Sequence, residues 1–149
     1  MSNNIPLSRK DLKKISKTRL KEAKLLCDNQ LYDGSIYLYG YVIETALKAR
    51  ICKILKSDYP PSSKSANAYK VHDLEELILL AGLKKDFQKK LNNKVSFKTN
   101  WSLIAPWVEV LRYEPIGKQD SQTINNIINL YSALTDSRTR ILTWIKKKW

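Results

Sequence analysis

Hydrophobic residues recur at helical spacing along most of the chain, and the alternation typical of strands is hard to find. Only 4 glycines and 5 prolines interrupt this pattern. It predicts an all-α protein, a bundle of four to five helices forming a single domain over residues 1–149. The predicted helices are Ser8–Asn29, Ser35–Lys56, a short one between Asp73 and Gly82, Thr99–Arg112 and Ser121–Lys148, with further helical turns over 84–94.

Helix boundaries are marked by polar capping residues and by glycine or proline. Ser8 followed three residues later by Asp11 has the spacing of a capping box. Asp33 or Ser35 is expected to cap the second helix, after a turn relaxed by Gly34.

The third and fourth helices carry their own signals. Asp73 and Glu76 repeat the capping spacing, and Gly82 closes the short helix that follows. Pro106 is expected to kink the fourth helix or to mark a start near Ala105. Between helices, Pro60 and the residues around it predict a mobile loop over 57–70.

The second helix is apolar on two faces, which predicts a central position in the bundle. Its segment YLYGYVIETALKAR, residues 37–50, contains one carboxylate, Glu44. Gly40 costs the helix about 1 kcal/mol relative to alanine, so we expect another helix to approach closely there. The two apolar faces also predict a two-fold dimer around the second and fourth helices.

Glu44 has two candidate partners. Lys48 follows one turn later, in the favourable order for an ion pair on a partly exposed strip. Alternatively, Glu44 pairs with an arginine of another helix in a desolvated groove. The candidate arginine is Arg112. The sequence leaves both possibilities open.

The chain has a net charge of +13, from 27 Lys and Arg against 14 Asp and Glu, which points to a negatively charged partner. Such an excess attracts polyanions such as RNA or an acidic protein face, although well-solvated lysine-rich helices have the same composition. The basic surface is expected from the first helix and the tail: Lys13, Lys17, Lys21, Lys146, Lys147 and Lys148.

Other chemistry finds little support in the residues. Cys27 and Cys52 are expected to be reduced core thiols, and with the single His72 they are too few for a zinc site, so no metal and no cofactor are predicted. His72 stands just before a helix cap, where a structural role is the simpler interpretation. No glycine-rich phosphate loop, signal peptide or membrane span is visible, which favours a cytoplasmic protein.

The four tryptophans divide into two groups. Three lie at core spacing and are expected to pack inside: Trp101, Trp107 and Trp144. Trp149 follows three lysines and is expected to be a contact residue instead.

Several segments in order resemble the HEPN domain family. They are KEAKLLCDNQLYDGSIYLYGYVIETALKARICK at 21–53, HDLEELI at 72–78, WVEVLRY at 107–113 and the final helix ending WIKKKW. The resemblance implies a helical bundle, usually a homodimer, in prokaryotic toxin–antitoxin, antiviral defence or CRISPR-linked systems. Many members are metal-independent ribonucleases; others bind RNA or dock on a partner, often a nucleotidyltransferase.

The family's nuclease site is an arginine followed, after four to six residues, by a histidine. Arg112 matches the arginine, but Gly117, Lys118 and Gln119 occupy the positions where the histidine belongs. Glu44 matches an acidic residue that lies close to this arginine in the family. The resemblance therefore implies that Glu44 holds Arg112 in an interhelical or interprotomer groove.

The sequence thus predicts a HEPN-like protein that binds RNA or an acidic protein partner without cutting. The expected binding residues are Glu44, Lys48, Arg112, Tyr113 and Lys118. One alternative is a metal-independent endoribonuclease with a diverged site, in which Arg112 stabilises the transition state and Tyr113, Lys118 or His72 replaces the missing histidine. Another is the substrate-binding subunit of a separate nucleotidyltransferase.

Overall fold

Every regular element is a helix in the computed structural model, which describes residues 7–58, 71–135 and 140–149. This confirms the all-α helical bundle, although the described part contains more helices than expected because two of the predicted ones are broken. The elements are α1 (Arg9–Asp28), α2 (Tyr32–Ile54), α3 (Leu74–Leu80), α4 (Lys84–Asn93), α5 (Val95–Ile104), a 3-10 helix (Glu109–Tyr113), α6 (Ser121–Thr135) and α7 (Ile141–Lys146).

Three helix boundaries follow the local capping signals. The Ser8 hydroxyl accepts a hydrogen bond from the Asp11 amide at 3.1 Å, and the Asp11 carboxylate accepts one from the Ser8 amide at 3.0 Å, which completes the capping box. Asp73 caps α3 by accepting from the Glu76 amide at 2.8 Å. Gly82 takes a left-handed φ of 67° directly after α3, as its closing role requires.

The predicted start of α2 is wrong by three residues. α2 begins at Tyr32 rather than Ser35, its cap residue is Leu31, and no side chain caps it. Asp33 and Ser35 lie inside the first turn, and Ser35 is buried.

The turn before α2 lies at Gln30 and not at Gly34. Gln30 has a left-handed φ of 62°. Its amide donates to the Cys27 carbonyl at 3.0 Å, and the Leu31 amide donates to the Leu26 carbonyl at 2.8 Å. These paired hydrogen bonds close α1 and commonly use glycine at the left-handed position. The sequence placed the turn wrongly because a glutamine fills that position.

The predicted helix Thr99–Arg112 is wrong as one element. α5 ends at Ile104, and a short 3-10 helix carries residues 109–113. Pro106 explains the break, because it has no amide hydrogen and its ring clashes with the preceding helical turn. Val108 is extended, with φ −138° and ψ 148°, so the chain changes direction before the 3-10 helix.

The predicted helix Ser121–Lys148 is also wrong as one element. α6 ends at Thr135, and Arg140 is extended before α7, with φ −80° and ψ 145°. Residues 136–139 lie outside the described part. The predicted mobile loop at 57–70 falls almost wholly on residues 59–70, which lie outside it too.

α2 is the centre of the bundle, as its pattern predicted. It packs against α1, α3, α6, α7 and the 3-10 helix. Its two apolar faces are therefore covered within one chain and give no separate reason for a dimer; the homodimer stays a prediction. The three core tryptophans are buried as expected, and the thiols of Cys27 and Cys52 are buried too.

Candidate functional site

Glu44 is buried in the middle of α2, with 3% of its surface exposed. Its Oε1 lies 2.7 Å from Nζ of Lys48, one helical turn later. His72, which precedes α3, places Nδ1 3.1 Å from Oε1 and 3.0 Å from Oε2. One carboxylate thus holds an ammonium from its own helix and an imidazole from another segment of the chain.

The 3-10 helix extends this set of contacts to the surface. Nε2 of His72 lies 3.3 Å from Oε2 of Glu109, and NH2 of Arg112 lies 3.3 Å from Oε1 of Glu109. We call Lys48, Glu44, His72, Glu109 and Arg112 the Glu44 cluster. It runs from the buried centre of α2 to an exposed guanidinium.

The contacts correct both accounts of Glu44. Lys48 is a partner, but the pair is buried and is shared with His72, so it is not a simple ion pair on a partly exposed strip. Arg112 contacts Glu109, so the expected direct pair of Glu44 with Arg112 does not form within one chain, and a pair between two protomers stays a prediction. The missed residue is His72, which no local spacing linked to Glu44.

The five predicted binding residues separate by exposure. Glu44 and Lys48 are buried against each other, so neither presents its charge to a ligand. Arg112 is exposed, and its guanidinium carbon lies 4.8 Å from the ring centroid of Tyr113, which is 75% exposed. Lys118 is exposed on the segment before α6. Arg112, Tyr113 and Lys118 are thus the accessible members.

Two tyrosines border the cluster. Burial raises the pKa of Tyr41, and hydrogen bonding with Tyr37 and the negative charges of Glu44 and Glu109 act in the same direction, so its phenol stays neutral. Hydrogen bonding with the Tyr37 side chain raises the pKa of Arg112. Electrostatic interactions with Tyr113 and Glu109 act in the same direction. The guanidinium is therefore a permanent cation.

The Glu44 cluster is close to electrically balanced. It contains two carboxylates, Glu44 and Glu109, against two permanent cations, Lys48 and Arg112, and one imidazole. Such a set does not concentrate polyanions by long-range attraction. The residue of this cluster best suited to acid–base chemistry is His72, because its side chain is 37% exposed and its ring is oriented by a buried carboxylate.

A second site lies between α1, α6 and α7. Four lysines line one cavity of about 480 Å³, together with Asp28, Tyr131 and two leucines. We call this cavity the lysine groove; its lysines are Lys17, Lys21, Lys24 and Lys146. Lys17 and Lys21 were predicted from α1 and Lys146 from the tail, whereas Lys24, Asp28 and Tyr131 were missed as site residues.

Positive charges outnumber negative ones in the lysine groove, by four lysines to one aspartate. Asp28 pairs with Lys24, whose ammonium lies 5.7 Å from the ring centroid of Tyr131. Burial lowers the pKa of Lys146, and the nearby charge of Lys17 lowers it further. The protein therefore holds Lys146 where a cation is disfavoured, and a bound anion relieves that cost.

Trp149 is more enclosed than expected of a contact residue. It packs against a small buried cluster of Leu12, Ala49 and Cys52. Three ammonium groups surround its ring, at 5.4 to 5.9 Å from the centroid; they belong to Lys13, Lys17 and Lys146.

The remaining tail lysines differ from each other. Lys147 is exposed, whereas Nζ of Lys148 lies 3.7 Å from the Asp86 carboxylate. Arg50 also donates to the Lys148 carbonyl at 2.8 Å, so the tail is fixed on α2.

Within the described ranges, no group of three or more His, Cys, Asp or Glu side chains is placed to hold a metal ion. No helix in the same ranges combines the length and apolar character needed to cross a membrane.

Comparison with known proteins found no matching family model, no matching curated protein and no matching solved structure. The HEPN resemblance therefore stays a prediction.

Proposed function

We propose that this protein binds RNA in the lysine groove. The observation that carries the proposal is the convergence of four lysines on one cavity in which Asp28 is the only carboxylate among the lining residues. Phosphate groups neutralise such lysines and release condensed counterions, which is the main source of affinity in nucleic-acid binding. Tyr131 adds an aromatic ring beside the cations.

RNA suits the groove better than an acidic protein face does. Lys17, Lys21 and Lys24 follow one another at intervals of four and three residues, so they repeat along one side of α1. A nucleic-acid strand carries one charge at every nucleotide whatever its sequence, whereas the acidic side chains of a protein repeat only where its sequence places them. The defence or toxin–antitoxin setting, and a nucleotidyltransferase partner, stay predictions from the resemblance.

Removing two groove lysines tests the proposal. We expect Lys17→Ala with Lys21→Ala to weaken binding of a short single-stranded RNA, because two phosphate contacts are lost. The slope of log Kobs against log salt concentration should become shallower by about 0.7 per lost contact on a single strand, thus by about 1.4 in total. Fluorescence anisotropy at several salt concentrations measures both effects.

The matched control is Lys85→Ala with Lys89→Ala. These lysines are exposed on α4 at the same four-residue spacing, and neither lines the groove. Both double variants reduce the net charge equally, so a general charge effect would weaken RNA binding equally in both. Equal slopes for the two variants would refute the groove as the binding site.

A second candidate function is cleavage of RNA at the Glu44 cluster, and one observation favours it. The Glu44 carboxylate lies 3.0 to 3.1 Å from Nδ1 of His72, so it is placed to accept the Nδ1 proton in the tautomer that leaves the lone pair on Nε2, as a general base requires. Arg112 contacts the far side of Glu109 and can stabilise a phosphorane. Glu109 lies between them and has to turn aside for substrate.

The corresponding reaction needs no metal. Nε2 of His72 takes the proton of the ribose 2′-hydroxyl, and the 2′-oxygen attacks phosphorus. The bond from phosphorus to the 5′-oxygen breaks, that oxygen takes up a proton from water, and His72 releases its proton to the solvent. The products are a 2′,3′-cyclic phosphate and a 5′-hydroxyl.

Incubating labelled RNA with the protein and EDTA tests this second candidate. If cleavage occurs at the Glu44 cluster, Arg112→Ala and His72→Gln should each reduce its rate by about a hundredfold or more while RNA affinity changes little. Lys85→Ala removes an exposed cation outside the Glu44 cluster and should cleave as the wild type does. Absence of cleavage by the wild type would exclude this candidate and leave binding alone.

A further inference from the structure

Asp28 is the feature of the lysine groove that phosphate binding does not explain. It lines the same cavity as the four lysines, and its side chain is 53% exposed. A carboxylate beside bound phosphates repels them, so it lowers affinity unless it makes a contact of its own.

Helix stability does not explain Asp28 either. It is the last residue of α1, whose final turn contains no basic residue, and a negative charge at that end opposes the helix dipole. It pairs with Lys24 four residues earlier, which is the less favourable order for an ion pair along a helix. Such local conflicts are expected where a residue serves function.

A carboxylate only accepts hydrogen bonds, so the ligand has to supply a donor next to its phosphates. The sugar–phosphate backbone of RNA has one such donor per nucleotide, the 2′-hydroxyl, and the DNA backbone has none. Lys24 places phosphate binding next to the carboxylate, because its ammonium contacts Asp28 and it also lines the groove. A phosphate near Lys24 brings the neighbouring ribose within reach of Asp28.

We propose that Asp28 accepts a hydrogen bond from a ribose 2′-hydroxyl and makes the lysine groove selective for RNA over DNA. This inference rests on the proposed function, because it names the group that the groove distinguishes. The lysines supply attraction to any phosphate backbone, and Asp28 weakens that attraction for a strand without the hydroxyl.

Three strands of identical sequence test the inference on the wild-type protein: RNA, DNA and 2′-O-methyl RNA. We expect RNA to bind about tenfold more tightly than DNA, the effect of one hydrogen bond to a charged group. The 2′-O-methyl strand should bind like DNA, because its 2′-oxygen has no hydrogen to donate. If 2′-O-methyl RNA binds as tightly as RNA, the inference is overturned.

Variants separate hydrogen bonding from charge. Asp28→Ala should bring the RNA-to-DNA ratio close to one, whereas Asp28→Asn should retain part of the preference because its amide oxygen still accepts. Glu22→Ala is the matched control: it removes an ion-paired acid of α1 that does not line the groove, and it should leave the ratio unchanged. An unchanged ratio in Asp28→Ala would contradict the assignment.

The outcomes also separate this inference from the proposed function. Equal binding of RNA and DNA by the wild type, lost in the Lys17 and Lys21 double variant, overturns only the role of Asp28. Binding of none of the three strands overturns both.

Discussion

Gly40→Ala is expected to lower the free energy of unfolding by about 2 kcal/mol or more, although alanine is the better helix former. A Cβ at position 40 would lie 1.8 to 2.1 Å from three ring atoms of Trp107. Overpacking of a filled core costs about 1–3 kcal/mol and occasionally more, and this overlap belongs at the upper end. Alanine returns about 1 kcal/mol through helix propensity, which leaves a net loss.

The Trp107 ring is not free to move aside. It is 4% exposed, its Nε1 donates to the Tyr37 carbonyl at 3.2 Å, and its ring meets that of Tyr41 edge-on with centroids 5.5 Å apart. Trp107 is followed by the extended residue Val108 and then by the 3-10 helix. Displacing Trp107 is therefore expected to shift Glu109 and Arg112 as well. Gly40 therefore positions the Glu44 cluster as well as the core.

Urea unfolding followed by tryptophan fluorescence measures the loss. Gly34→Ala is the matched control in the same helix, because a Cβ there would meet only the flexible end of Leu26, at 3.2 Å. It should leave stability unchanged or raise it. Adding Trp107→Leu to Gly40→Ala should recover part of the loss, and equal stability of the two single alanine variants would contradict the packing argument.

The sequence predicted that another part of the chain approaches Gly40 closely, but it did not predict which part. A glycine in the middle of a buried helix indicates that something comes near, and the sequence suggested another helix. The structure places a tryptophan side chain there, from the segment that follows α5. Pro106 breaks the helix just before Trp107 and frees it to turn inward, which helical spacing alone does not indicate.

Local signals predicted what depends on a few neighbouring residues. The capping box of Ser8 and Asp11 and the left-handed Gly82 are interactions within one turn, and both are confirmed. The turn at Gln30 was missed for the complementary reason. The exposed Gln30 closes α1 through hydrogen bonds to neighbouring residues, but it occupies the left-handed position where glycine is the usual signal.

The candidate sites required the fold. Glu44 meets His72 across 28 residues of sequence, and no local pattern selects that partner. In the lysine groove, the spacing of lysines along α1 was visible, but Lys146 and Tyr131 join them only because α6 and α7 pack beside α1. Sequence supplied the charge, and topology placed it around one cavity.

Glu44→Gln is expected to lower the free energy of unfolding by about 3–5 kcal/mol, the usual cost of removing one partner from a buried ion pair. The change leaves the Lys48 ammonium, in a residue 8% exposed, without its carboxylate at 2.7 Å. His72 loses the charge that orients its ring. Since Glu44 is only 3% exposed, water does not replace the lost interaction.

Two further variants isolate the cause in the same urea experiment. Glu44→Leu with Lys48→Met removes both charges from the buried site and should be much closer to wild type than Glu44→Gln, because no charge is left unpaired. Glu22→Ala breaks the exposed pair with Arg19, whose side chains are 40% and 43% exposed, and should change stability by less than about 0.5 kcal/mol. If Glu44→Gln were as mild as Glu22→Ala, the buried carboxylate would not be what joins α2 to His72.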